Sequence, residues 1–137
     1  LTFAHRAVFE VLAGEIPLYA YGEIGGSRRV KGLGGSDSLR GFDTQRFTDD
    51  VRFFSNAEAR YKVHSMWFAG QYLEWYGVGY VDIGRVWPDL ADVGLGGMHV
   101  SAGGGIRLSW DNDFVIRMEM GYSEEQRDVF IDLGNAF

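Results

Sequence analysis

The 137 residues include 20 glycines and 21 aromatics but only 2 prolines, a composition that suits β-strands joined by tight turns. With no cysteine there is neither a disulfide framework nor a thiolate metal site, and with a net charge of −6 and no basic run longer than Arg28-Arg29 a nucleic-acid partner is not expected. No stretch reaches the ~18 consecutive apolar residues of a membrane helix, which leaves open the shorter alternating strands of a membrane β-barrel.

The chain opens inside an apparent strand, "TFAHRAVFEVL", in which Phe3, Ala7, Phe9 and Val11 oppose Arg6 and Glu10. A long polar, glycine-rich connection follows, from Gly14 to Asp50, and it carries "GGSDSLRGF" (Gly34 to Phe42). The next strand, "VRFFSNAEARYKV", sets Val51, Phe53, Ala57, Ala59, Tyr61 and Val63 against Arg52, Asn56, Glu58, Arg60 and Lys62. "HSMWFAGQY" reads as a short connection. "EWYGVGYVDIGRVW" then places Val81, Ile83 and Trp87 opposite Tyr80, Asp82 and Gly84.

After the long connection "PDLADVGLGG", the segment "MHVSAGGGIRLSW" alternates: Met98, Val100, Ala102, Ile106, Leu108 and Trp110 oppose His99, Ser101, Gly103, Gly105, Arg107 and Ser109. The turn Asp111-Asn112-Asp113 leads into "FVIRMEMGY", where Phe114, Ile116, Met118, Met120 and Tyr122 oppose Val115, Arg117, Glu119 and Gly121. "SEEQRD" connects to "DVFIDLGNAF", in which Val129, Ile131, Leu133 and Phe137 oppose Phe130, Asp132, Gly134 and Ala136.

About six strands of roughly ten residues, with long and short connections alternating, fit bilayer-crossing strands. Trp67, Trp75, Trp87 and Trp110 fall near strand ends or connections, where interfacial girdles would put them. The alternative is a soluble sheet with core tryptophans. The density of charge on one set of faces against uniformly apolar opposite faces argues for the membrane. An arginine at Met118 is accordingly expected to destabilise insertion by roughly 2–4 kcal/mol, and one at the inward-facing Gly121 to be tolerated better if it fits.

Alternation also puts Glu58 and Asp82 on polar faces, which would line a barrel interior. Two enclosed carboxylates need compensation. Arg40, on a loop long enough to fold inward, offers a planar fork for both. Gly41 allows a tight turn beside it, and Phe42 can pack against the wall.

With these residues in place, the chain resembles the C-terminal part of the barrel domain of the BamA/TamA superfamily, the bacterial surface-antigen family of outer-membrane assembly and secretion proteins. The residues that carry the resemblance are the Arg-Gly-Phe of "GGSDSLRGF", Glu58 in "NAEARY", Asp82, Gly84, Val86 and Trp87 in "VDIGRVW", the strand "SAGGGIRLSW", and the terminal-aromatic strand "VFIDLGNAF". They keep the family's order over nearly all of residues 1–137. The turn at Asp111-Asn112-Asp113 departs from the proline-containing turn often found there, and the POTRA repeats that usually precede the barrel are not in this sequence.

The resemblance implies an all-β fold: the C-terminal portion of an antiparallel transmembrane β-barrel, with a long inward-folding loop, within a longer chain. It implies a loop latch of Arg40, Gly41, Phe42, Glu58 and Asp82. It also implies a C-terminal assembly signal of Val129, Ile131, Leu133, Gly134 and Phe137. The implied location is the outer membrane of a Gram-negative bacterium or the equivalent organelle membrane. The implied function is assembly or insertion of outer-membrane proteins, and the implied partners are lipid, unfolded outer-membrane or secreted polypeptides, and accessory assembly proteins.

Three alternatives stand beside it: a polypeptide-secretion transporter of the same superfamily, the membrane anchor of a patatin-like lipase whose catalytic domain lies elsewhere, and a passive porin. An enzyme is not expected. His99 and Ser101 lie two apart on one face with no nucleophile elbow, although Asp82 completes the triad residue types. His5, His64 and His99 are too scattered for a metal site, "GGSRRVKGLGG" does not match a phosphate-binding loop, and no cofactor is expected.

Overall fold

The computed structural model describes residues 1–14, 32–111, 114–125 and 127–135. Six strands, β1 (Thr2–Val11), β2 (Val51–Phe68), β3 (Gln71–Trp87), β4 (His99–Trp110), β5 (Phe114–Ser123) and β6 (Arg127–Asn135), form one sheet. They lie in sequence order, every neighbouring pair is antiparallel, and β1 and β6 are its edges. A single turn of 3-10 helix, Leu90–Asp92, lies between β3 and β4.

β2 and β3 are longer than the roughly ten residues expected, at 18 and 17. "HSMWFAGQY" is not a connection but the tip of their hairpin, turned by Ala69 and Gly70, both with positive φ (52° and 83°), as a tight two-residue turn requires. The register shifts between Lys62 and His64, one residue being added at Val63. The bulge carries Trp67 to the face shared with Tyr72, Glu74 and Lys62, its ring centroid 5.2 Å from that of Tyr72. Trp67 therefore does not join the apolar face, and Trp87 is buried rather than exposed at a rim.

The two faces differ in kind. One carries residues 32–50 of the long loop across it. The other is bare: Phe3 is 76% exposed and Ile131 69%, and Phe9, Val81, Val100, Ile106, Met118 and Tyr122 are exposed along the strands between. The apolar core sits under the loop instead. Leu33, Leu39 and Phe42 of the loop and Phe54 of β2 are fully buried together, with Val8, Phe47 and Val86 packed against them.

Candidate functional site: the loop seat

Cross-strand pairing orders the loop-bearing face into rows, and the rows explain the site. One row runs Arg6–Asn56–Asp82–Ser101–Ser123 across β1 to β5; the next runs Ala4–Glu58–Tyr80–Gly103–Gly121. The first is made of hydrogen-bonding side chains. In the second, three of the five residues are glycine or alanine: the end of Tyr80 lies over Gly103, and Gly121 is left open to the loop.

The loop backbone at Arg40 and Gly41 packs over Gly121. Leu33 and Phe47 bridge the loop at its base, and Ser38 Oγ accepts from Gly34 N (2.9 Å) and donates toward the Gly32 and Gly34 carbonyls (3.1 Å each). This closes a compact turn whose tip faces the first row. Arg6 donates to the Asp37 carbonyl, Asn56 Nδ2 to the Ser38 carbonyl (2.5 Å), and Ser123 Oγ to the Gly41 carbonyl (2.6 Å). Arg40 N donates to Asp82 Oδ2 (3.2 Å). Side chains from β1, β2, β3 and β5 thus hold the loop by its backbone.

The Arg40 side chain lies deeper. Nε and Nη2 form a fork on Asp82 (2.8 Å each), and Nη1 reaches both Glu58 (3.0 Å) and Glu119 (3.1 Å). Its guanidinium carbon lies 3.4 Å from the centroid of the Tyr80 ring. Burial works against its charge, but the hydrogen bond and charge of Asp82, followed by Glu58 and Glu119, outweigh that and hold its pKa above the usual arginine value. Asp82 is completely buried, and every hydrogen bond its carboxylate accepts among the described residues comes from Arg40.

Gly41 has φ +93°, and a Cβ there would sit 3.2–3.3 Å from the backbone of Gly121 and Tyr122. Gly121 is its counterpart, since a Cβ on it would stand 2.8 Å from Gly41 N. Gly121 is thus the loop's floor, not an open position for an arginine as the alternation suggests. Gly121→Ala should lift the loop and cost about 1–3 kcal/mol, read as a lower unfolding temperature with faster proteolysis of residues 32–50. Unchanged protection would show that the loop does not rest there.

Phe42 is wholly buried, meeting Phe47 (5.3 Å) and His99 (5.7 Å) edge-on rather than the sheet alone. Sequence reasoning brought Arg40, Gly41, Phe42, Glu58 and Asp82 to this place and missed Glu119, Arg107, Tyr80 and the backbone-holding Arg6, Asn56 and Ser123. Five of them stood on polar faces and Ser123 in the connection after Tyr122, and only the register shows that they converge.

Of the other predicted positions, Val129, Ile131 and Leu133 lie on the bare face of β6, with Ile131 opposite Met118 and Gly134 opposite Val115. Phe137 lies outside the described residues. Asp82 and Ser101 are cross-strand neighbours, yet among the described residues no side-chain hydrogen bond links Asp82, Ser101 and His99. His99 instead stacks on Phe47 (4.0 Å).

No family model, curated protein or solved structure matches the chain.

The apolar cluster and the ion pairs contribute differently. Leu33, Leu39 and Phe42 each gain about 1.5–3 kcal/mol from burial. A buried ion pair comes close to breaking even against apolar residues of the same shape, but losing one partner is strongly destabilising. The cluster therefore supplies adhesion, while Arg40 fixes where the loop sits.

Proposed function

We propose that the sheet is part of an outer-membrane β-barrel that assists insertion of other outer-membrane proteins. In this reading the bare apolar face meets lipid and the loop-bearing face lines the interior. One observation carries the proposal: the Arg40 fork is enclosed by Asp82, Glu58 and Glu119 on one face of an antiparallel sheet whose opposite face is apolar and uncovered. A soluble protein rarely exposes so continuous an apolar surface. The resemblance of the Arg-Gly-Phe loop, the Asp82 strand and the C-terminal strand to the BamA/TamA superfamily supplies the assembly function.

Closure into a barrel takes at least about eight strands, so the reading requires more than these six. The chemistry involved is non-covalent: strand-edge hydrogen bonds are exchanged with an incoming strand while the bilayer is locally disturbed. β1 and β6 are the edges that this sheet offers.

Depleting the protein in the organism that makes it is the test. Folded outer-membrane proteins should fall together, with their unfolded forms accumulating. Unchanged levels of all of them would overturn the assembly reading, and loss of one secreted polypeptide alone would assign transport instead.

A further inference from the structure

The charged groups of the seat form a closed ring. Arg40 Nη1 donates to Glu58 Oε2 and Glu119 Oε2. Arg107, from β4, donates through Nη2 to the same Glu58 oxygen (2.8 Å) and through Nε and Nη2 to Glu119 Oε1 (2.8 and 2.5 Å). Two arginines thus share two carboxylates, one arginine arriving with the loop and the other belonging to the sheet. Arg107 is buried, and among the described residues its side-chain hydrogen bonds all go to strand residues.

We infer that Arg107 is the positioning residue of the seat: it holds Glu58 and Glu119 oriented and close together before the loop arrives, so that Arg40 meets a preformed acceptor. Without it, two carboxylates on neighbouring parts of one face would repel each other, and each would turn toward whatever cation it could reach. Arg60, also bonded to Glu58, cannot take over: it is half-exposed and lies on β2, and no hydrogen bond joins it to Glu119 among the described residues. The ring also divides the labour among the carboxylates. When the loop leaves, Glu58 and Glu119 keep Arg107, and Asp82 alone loses all its partners. The loop can therefore be released and re-seated with one buried charge exposed rather than three.

This inference goes beyond the assembly reading and stands on the geometry of the seat alone, so it survives or fails whatever the sheet is used for. The chain has no cysteine, and Leu39 is fully buried beside Arg40, so Leu39→Cys reports loop opening as the rate of thiol labelling in the folded protein. Arg107→Gln should raise that rate about tenfold although no hydrogen bond among the described residues joins Arg107 to the loop, and Arg107→Lys should restore part of the protection. In an Arg40→Ala background the same Arg107→Gln change should leave the rate nearly unchanged, because the preformed acceptor has lost its ligand.

An equal rate increase with Arg40 present or absent would mean that Arg107 only stabilises the sheet, and would overturn the inference. So would a native labelling rate in Arg107→Gln. If Arg107→Gln does not fold, Glu119→Gln measured against Arg40→Ala tests the same coupling from the other side of the ring. There, additive effects would count against the ring and non-additive ones for it.

Discussion

Arg40→Ala is expected to unseat the loop and lower stability by about 3–5 kcal/mol, the usual cost of leaving a buried charge without its partner. The size follows from Asp82. It is completely buried, and among the described residues all three hydrogen bonds to its carboxylate come from Arg40, two from the guanidinium and one from the backbone N–H. Alanine keeps only the last. Glu58 and Glu119 suffer less, since Arg107 remains on both. Arg40→Lys should recover part of the loss: it restores a charge but can neither fork onto Asp82 nor lie flat on Tyr80. Pairing Arg40→Ala with Asp82→Asn should cost clearly less than the two changes summed, because the second removes the charge that the first strands. Thermal unfolding and proteolysis of the loop measure both effects. A loop as protected in Arg40→Ala as in the native protein would show that Leu33, Leu39 and Phe42 hold it unaided.

The second large effect concerns the bare face. Met118→Arg is expected to destabilise the membrane-inserted protein by roughly 2–4 kcal/mol, the cost of an arginine near the bilayer midplane on a lipid-facing strand position. Met118 is 43% exposed in mid-strand, with Ile106 and Ile131 beside it on the neighbouring strands. Val115→Arg supplies the comparison on the same strand. It lies on the loop-bearing face, between Ser109 and Gly134, where an arginine can stay hydrated. It should cost well under half as much in urea titrations of the protein folded in lipid vesicles. Equal costs at the two positions would remove the distinction between the faces.

Much of the sheet was legible because alternation is a local property. Each strand's two faces could be read from the strand itself, and Arg40, Glu58 and Asp82 could be assigned to one surface without knowing which residues pair. Register was legible only where a short turn anchors it. Counting back from the turn at Asp111 pairs Trp110 with Phe114, hence Gly105 with Glu119 and Gly103 with Gly121, so Glu119 could have been placed near the seat. The β2–β3 hairpin gives no such help. A straight count from the pair Phe68–Gln71 would set Glu58 opposite Val81, on the wrong face, whereas the bulge at Val63 sets it opposite Tyr80. Nothing in "YKVHS" marks that extra residue. The bulge also puts Trp67, read in the sequence only as lying near a connection, on the face of Tyr72. The loop's hold on the first row was hidden for a different reason: Arg6, Asn56 and Ser123 bind its carbonyls, and backbone acceptors leave no trace in residue identity.

The central claim is that one face of this sheet meets lipid while the other is sheltered and polar. The absence of native cysteine makes single-cysteine labelling in intact membranes its most direct test. Met118→Cys and Ile131→Cys should react with a lipid-soluble maleimide and resist a charged, water-soluble one, while Val115→Cys should react with the charged reagent. Rapid reaction of Met118→Cys and Ile131→Cys with the charged reagent, or a protein that stays monomeric in water without detergent, would contradict the account.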